Sequence, residues 1–222
     1  MSTAQGNVKV TATSQRSAAL VSGLGMLAMT IVAAVANLAI IQPAILPGDA
    51  AATAAAIVAS GTGFPLAALG LVVVAILDVV VAWGLYELFR PVHSGLSLLG
   101  GWLRLAYAAI FAVAISQLFG AVRVAGSDSV AALRLVEGFD DGWMVGQIFF
   151  GLHLVVVGVL AWRSTFVHWI FGLLLVIAGA GYLFDGAAVL VIPAYGLELA
   201  MYTFAGEMVF LVWLLVRGFR RK

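Results

Sequence analysis

The sequence has no cysteine and very few charged residues. Its 222 residues include 11 Lys and Arg and 10 Asp and Glu, so that charged side chains make up 9% of the chain. Without cysteine there are no disulfides, thiolate metal sites, iron–sulfur clusters or cysteine nucleophiles. The formal net charge of +1 gives no sign of a basic surface that would bind nucleic acid. We therefore expect neither a nucleic-acid partner nor a cluster of iron and sulfur.

Lysine and histidine are also scarce, and their positions argue against two further cofactors. The two lysines, Lys9 and Lys222, lie at the ends of the chain, whereas a retinal protein needs a lysine inside the membrane for its Schiff base. A haem held by two histidines needs both to be buried, and His93 and His168 are expected at the edge of the membrane. The sequence predicts no cofactor.

Apolar residues are abundant, at 64% of the chain, and the mean hydropathy is +1.15. A soluble domain of this length has too little interior to bury so many apolar side chains, so the sequence predicts an all-α polytopic membrane protein with the lipid bilayer as its main partner. Six apolar stretches are each long enough to cross about 30 Å of hydrocarbon as a helix. They are Ala18–Ile41, Phe64–Phe89, Leu96–Val122, Trp143–Trp162, Trp169 to about Val189, and Leu197–Val216.

The expected domain organisation is one six-helix unit over residues 18–216, with a mobile tail at 1–17 and a basic tail at 217–222. A signal peptide is the competing interpretation of the first apolar stretch, but its apolar core would span only about 7–15 residues. Between the first two spans, Asp49 is placed to cap a short helix from Ala50 to Ser60. The polar stretch Arg123–Asp141 is expected to connect spans three and four.

Lysine and arginine are distributed unevenly between the two ends of the predicted helices. Arg123 and Arg134 lie on one side, Arg104 lies within span three, and the other eight lie on the side that carries both termini: Lys9, Arg16, Arg90, Arg163, Arg217, Arg220, Arg221 and Lys222. Because positive residues accumulate on the cytoplasmic side, we expect both termini in the cytoplasm and the protein in the cytoplasmic membrane of a bacterium.

Four ionisable residues from four different spans are expected at similar depth. At about 1.5 Å per residue, Asp78 lies roughly 18 Å from the cytoplasmic end of its helix, Arg104 roughly 12 Å, and His153 and Glu207 roughly 15 Å each. Charges exposed to lipid at that depth are costly, so these groups should face inward, with Arg104 as the countercharge. This buried layer is the candidate site for a ligand or a proton, and the alternative is that it only fixes the packing of the helices.

Tyr182, Asp185 and Gln147 are secondary candidates near this layer. For Asp185, at the outer end of span five, a structural ion pair with Arg123 or Arg134 is the favoured interpretation. We expect no metal, although Asp78, His153 and Glu207 could together offer one nitrogen and carboxylate oxygens to Zn²⁺ or Fe²⁺.

Several short motifs, taken in order, resemble a known family. They are Leu46-Pro-Gly-Asp-Ala-Ala-Ala-Thr53, Leu85-Tyr-Glu-Leu-Phe-Arg-Pro91, Leu103-Arg-Leu105, Phe150-Gly-Leu-His153, Trp162-Arg-Ser164 and Gly181-Tyr-Leu-Phe-Asp185. Their order and spacing are similar to those of the bacterial membrane family described as domain of unknown function 4386. The resemblance covers nearly the whole chain after residue 16 and implies a six-span membrane protein, with no established activity.

Three functions remain open at this stage. The first is binding or transport of a small solute, a lipid-like molecule or a proton through the buried layer. The second is an intramembrane enzyme, with or without a metal, and the third is an accessory or scaffold subunit in which the layer is structural. The sequence also leaves open whether the chain forms a homo-oligomer.

Overall fold

The computed structural model describes residues 12–192 and 195–220, and within these ranges the chain is helical with no strand. The elements in chain order are α1 (Ala12–Ala33), a π-helical segment (Ala34–Ile41), α2 (Gln42–Ala44), α3 (Ala50–Ala59), α4 (Gly63–Phe89), α5 (Ser94–Val124), α6 (Ser129–Arg163), α7 (Trp169–Val191), α8 (Leu199–Thr203) and α9 (Ala205–Phe219).

Six helical segments of the described chain are long and apolar enough to cross a membrane, as the sequence predicts. The first runs from Gln15 to Ala44, the next four are α4, α5, α6 and α7, and the last runs from Leu199 to Phe219. Many large apolar side chains on the outer faces are exposed, including Leu38, Trp83 and Val113. A bundle with an apolar exterior of this kind is stable when lipid surrounds it.

The polar stretch expected as a connection is largely helical. Helix α5 continues to Val124 and α6 begins at Ser129, where the Asp128 carboxylate accepts a hydrogen bond from Ala131 N at 2.9 Å. Within the added turns of α6, Val136 and Phe139 are buried and Asp141 is exposed. This helical spacing of apolar residues buries one face, so the acidic residues do not end the helix.

The start of the chain also differs from the expected tail. Helix α1 begins at Ala12, so that residues 12–17 are helical, whereas the rest of the expected tail at 1–11 lies outside the described residues. The short helix between the first two spans is present as α3, and Asp49 Oδ1 accepts from Ala52 N at 2.9 Å, as its capping role predicts.

The spans pack in chain order around a ring. Helix α1 packs on α4, α4 on α5, α5 on α6, α6 on α7, and α7 on α9, and α9 then returns to α1. Arg16 Nε donates to Gly218 O at 2.8 Å across this last contact. The first and last described residues of the chain therefore lie at one end of the bundle, which we call the terminal end; the other end carries α3 and is called the far end.

Helices α6 and α7 approach each other through two pairs of glycines. A Cβ atom on Gly158 would lie 2.7 Å from Gly172 O, and one on Gly151 would lie 2.7 Å from Gly179 O. Real Cβ atoms do not approach oxygens so closely, so only glycine allows this helix separation. The pairs follow the small-residue pattern that brings membrane helices into close contact.

Two of the six spans depart from regular α-helical structure within the far half of the bundle. The first span changes to π-helical hydrogen bonding over Ala34–Ile41, and the last is interrupted at Phe204 between α8 and α9. Irregular backbone at membrane depth is tolerated where it lines a cavity or is buried by protein. Both irregular segments border the cavity described below.

Candidate functional site

Arg104 on α5 lies between two of the other predicted site residues. Its Nη2 atom is 2.7 Å from Asp78 Oδ1 on α4, and its Nη1 atom is 3.2 Å from His153 Nε2 on α6. The exposed fractions of these three residues are 0% for Asp78, 2% for Arg104 and 1% for His153. The contact between Arg104 and Asp78 is an ion pair whose angles are not those of a hydrogen bond, so neither Asp78 oxygen has a hydrogen-bond partner. The predicted layer is therefore assembled across α4, α5 and α6.

Hydrogen bonds fix the state of the His153 ring. Its Nδ1 atom is 2.8 Å from Gly100 O, a group that only accepts, and its Nε2 atom faces Arg104 Nη1, a group that only donates. The proton of the imidazole must then be on Nδ1, and Nε2 accepts from the guanidinium. His153 in this arrangement is neutral, has no free ring nitrogen, and holds the arginine in place.

A cavity of about 350 Å³ lies between the helices on the side of Arg104 away from Asp78 and His153. Its wall is mostly apolar and aromatic, with a few polar groups. The lining residues come from all six spans; those used below are Met29, Thr30, Ala33, Ala34, Asn37, Leu38, Arg104, Tyr107, Phe111, Trp143, Gln147, Phe150, Tyr182, Phe204, Glu207 and Met208. Asp78 and His153 lie behind Arg104 and do not line it. This composition is typical of a binding site for a small, largely apolar molecule.

Glu207, the fourth predicted layer residue, reaches the cavity from the first turn of α9, just after the break at Phe204. It is 5% exposed, and its carboxyl group lies close enough to the Tyr182 hydroxyl to interact with it. A carboxylate in the first turn of a helix is stabilised by the free N–H groups there. In the structure Glu207 lies on the cavity wall, beside Tyr182.

Several polar atoms in the wall are buried without a hydrogen-bond partner. They are Asn37 Oδ1, Arg104 Nε, Trp143 Nε1 and Glu207 Oε1. Buried polar groups in folded proteins are nearly always paired, since each unpaired one costs about 1–3 kcal/mol. These atoms give the wall of the cavity several groups that can form hydrogen bonds with a ligand or with water.

The secondary candidates separate into two groups. Gln147 and Tyr182 line the cavity, but Asp185 does not. Asp185 Oδ1 accepts from the Tyr195 hydroxyl at 2.5 Å and Oδ2 accepts from Ala200 N at 2.6 Å, so it pairs with these groups rather than with an arginine. Loss of solvation, together with the hydrogen bond to Asp185 and its charge, raises the pKa of Tyr195 to about 12. Asp185 therefore anchors the chain between α7 and α8.

Sequence reasoning missed several lining residues, notably Asn37, Tyr107, Trp143 and Phe150. The rings of Tyr107 and Phe150 are 4.9 Å apart, and Phe150 contacts Tyr182 edge-on at 5.2 Å. Phe150, Trp143 and Gln147 recur at intervals of three and four along α6, which is the spacing of one helical face. That spacing was visible in the sequence, but nothing there marked this face as the one that borders a cavity.

The three residues considered as metal ligands are not grouped. Among the residues that the structure describes, no cluster of three or more His, Asp or Glu side chains is close enough to hold a metal ion. The Arg104 guanidinium contacts both Asp78 and His153 and occupies the space that a metal would need there.

One side of the cavity faces the lipid. Of its lining residues, Ala34, Leu38 and Phe204 are exposed on the outer surface of the bundle, and all three lie in or beside the irregular segments. Helices α1 and α9 are tightly packed toward the terminal end, where a Cβ on Gly23 would lie 3.0 Å from Leu215 and one on Gly218 2.8 Å from Leu20. The π-helical segment packs on α4 rather than on α8 or α9, so the first and last spans are less closely packed on this side of the cavity.

Comparison with known proteins gives a family without an assigned activity. The sequence model of the family described as "Domain of unknown function (DUF4386)" matches residues 21–218. An uncharacterised protein of Archaeoglobus fulgidus is 36% identical over 149 residues, which cover 67% of this chain and 82% of that protein. No solved structure matches.

Proposed function

Because the chain belongs to the DUF4386 family, whose description carries no activity, we propose a function from the geometry alone: the protein binds a small amphipathic molecule that it takes from the bilayer. The observation that carries this proposal is the cavity of about 350 Å³ with an apolar wall and unpartnered polar atoms at Asn37, Trp143 and Glu207. An apolar body would fill the space and a polar group would satisfy those atoms.

The route of entry supports a ligand from the lipid phase. Ala34, Leu38 and Phe204 line the cavity and are also exposed, and since they belong to the first and last spans we place the rim of the entrance between these two spans. A water-soluble solute would have to cross hydrocarbon to reach this rim, whereas a lipid-like molecule is already there. Among the ligands that the sequence leaves open, we therefore favour the lipid-like molecule.

The contacts of Arg104 determine which charged residue meets the ligand. Its two Nη atoms are directed to Asp78 and His153, and a third contact reaches Met29 Sδ at 3.9 Å. Arg104 therefore serves mainly to position the wall. Arg104 Nε and Glu207 Oε1 both lie unpartnered in this wall, and Glu207 is the one of these two residues whose charge is not already compensated by an ion pair.

The proposal includes a location in the cytoplasmic membrane of a bacterium, with both termini in the cytoplasm. It is supported by the distribution of arginines in the described part of the chain: Arg123 and Arg134 lie toward the far end, and five lie toward the terminal end, namely Arg16, Arg90, Arg163, Arg217 and Arg220. A bound ligand would then enter in the outer half of the bilayer, because the opening lies toward the far end of the bundle.

The test fills the cavity and measures binding. Ala33 lines the cavity and Ala39 is exposed on the outer face, so Ala33→Trp removes the space while Ala39→Trp adds the same side chain to the lipid surface. In lipid nanodiscs we expect decanol, a neutral single-chain amphiphile, to bind the wild type and Ala39→Trp with similar Kd, and to bind Ala33→Trp at least about tenfold more weakly. Equal binding to all three folded proteins, or no binding to any of them, would refute the proposal.

A further inference from the structure

The charges around the cavity do not balance, and we infer from this that its natural ligand is a lipophilic cation that replaces a proton on Glu207. The inference rests on the proposed function, since it names the ligand class of the same cavity. It is carried by the positions and contacts of the charged side chains and by the aromatic rings beside them.

The first step is the count of charges in the buried layer. Asp78 and Arg104 form a pair at 2.7 Å and cancel one another. His153 is neutral, because its Nδ1 atom donates to Gly100 O and its Nε2 atom accepts from Arg104. Glu207 is then the one group of the predicted layer whose charge is not compensated.

The second step concerns the neighbours of Glu207. Among the described residues its carboxylate forms no ion pair with Lys, Arg or His. The titratable or charged groups that face it are Tyr182 on α7, Arg104 and Tyr107 on α5, and Asp78 on α4, whereas α1 contributes the uncharged Met26, Met29 and Thr30. An isolated carboxylate in a low-dielectric interior is costly, so Glu207 requires one more positive charge. Either a proton or a cationic ligand can supply it.

The third step is the composition of the wall next to Glu207. Tyr182, Phe150 and Tyr107 form a continuous group of rings, with centroids 5.2 Å and 4.9 Å apart, and Phe111 and Trp143 extend it at 5.6 Å. The faces of aromatic rings attract cations and favour the weakly hydrated ones, such as quaternary ammonium groups. An anion would meet the Glu207 carboxyl group, and the guanidinium that could attract it is already paired with Asp78.

These steps define an exchange of one charge for another. With the cavity empty, Glu207 holds a proton on its carboxyl group. When the cation binds, that proton leaves to water and the carboxylate pairs with the ligand, so that the charge of the layer is unchanged. Acidification favours the proton and weakens cation binding, and a rise in pH strengthens it.

The experiment compares three amphiphiles with the same chain: decyltrimethylammonium, decanol and decyl sulfate. Binding to nanodisc-embedded protein is measured by calorimetry at pH 5 and pH 8, and proton release is followed in weakly buffered solution. We expect the cation to bind at least about tenfold more tightly than the anion at pH 8, and to release up to about one proton per cation at pH 5, where Glu207 holds its proton before the cation binds. The isosteric Glu207→Gln protein should lose both the preference for the cation and the proton release, while it still binds decanol.

Each outcome is decisive for one of the two proposals. If decanol binds the wild type but the cation and the anion bind equally, or if Glu207→Gln keeps the preference for the cation, the inference fails and the proposed function stands. If decanol binding is unaffected by Ala33→Trp, the cavity is not the binding site and both fail.

Discussion

Asp78, Arg104 and His153 form a line of contacts across three helices, and Arg104, the middle residue, also lines the cavity. The distances are 2.7 Å from Asp78 to Arg104 and 3.2 Å from Arg104 to His153, and His153 is held in turn by Gly100 O at 2.8 Å. Each member restricts the next, so the guanidinium has a single orientation at the wall. The role of His153 is therefore to position the arginine.

Removal of one partner of the buried Asp78–Arg104 pair should lower the free energy of unfolding more than removal of both. Asp78→Asn leaves the guanidinium without a countercharge, and we expect it to lower the free energy of unfolding by about 3–5 kcal/mol. The double variant Asp78→Val/Arg104→Met takes both charges away and should recover most of that loss. Unfolding in mixed micelles followed by circular dichroism measures both values. A double variant that is less stable than Asp78→Asn would contradict the assignment of the pair.

The sequence predicts the depth of the four layer residues, but it does not predict the direction in which each side chain points. The rise of a helix per residue places Asp78, Arg104, His153 and Glu207 at similar depth once the ends of the spans are known. The rotation of each helix about its own axis depends on how it packs against its neighbours, and that information is not local. For this reason the sequence could not separate Glu207, which borders the cavity, from Asp78 and His153, which lie behind Arg104.

At the scale of elements, the glycines of α6 and α7 explain why these two helices are so close. Gly151 and Gly158 are seven residues apart on α6, and Gly172 and Gly179 are seven apart on α7, so the two antiparallel helices present matching gaps. This contact brings Phe150 and Tyr182 together at the cavity, with ring centroids 5.2 Å apart. The close helix pair is thus part of the architecture of the site.

A methyl group at this contact should separate the helices. In Gly158→Ala the new Cβ would lie 2.7 Å from Gly172 O, and we expect the free energy of unfolding to fall by about 1–3 kcal/mol because the backbone must move. Gly126→Ala is the matched control, since a Cβ there meets nothing within 4 Å. It should change stability by less than about 0.5 kcal/mol. Equal effects of the two substitutions in the same unfolding measurement would argue against the close contact.

The ends of the elements were harder to predict than their existence. Apolar length identifies the spans, but Asp140 and Asp141 make the start of α6 look like a loop, although Val136 and Phe139 continue its buried face. Conversely, the sequence gives no signal of the change to π-helical hydrogen bonding at Ala34–Ile41, because these residues are as apolar as the rest of the span. Both differences arise from contacts with other helices.

For the molecule as a whole, the absence of cysteine offers a direct test of orientation. Ser94 at the terminal end and Ser127 at the far end are both exposed, and single-cysteine variants at these positions have no background thiols. In intact bacterial cells we expect a membrane-impermeant maleimide to label Ser127→Cys and to spare Ser94→Cys until the membrane is permeabilised. The opposite pattern would invert the proposed topology, and labelling of both in sealed cells would exclude it.

The closed ring has a consequence for how the protein is made. Each span packs on the one synthesised before it, so the Asp78–Arg104 pair forms as soon as the third span enters the bilayer, and His153 joins it with the fourth. The contact of Arg16 with Gly218 joins residues 202 positions apart and must wait for the end of translation. Glu207 arrives with that last helix. The costly charges of the early spans are thus paired during insertion, and the binding cavity acquires its acid and its final wall only when synthesis is complete.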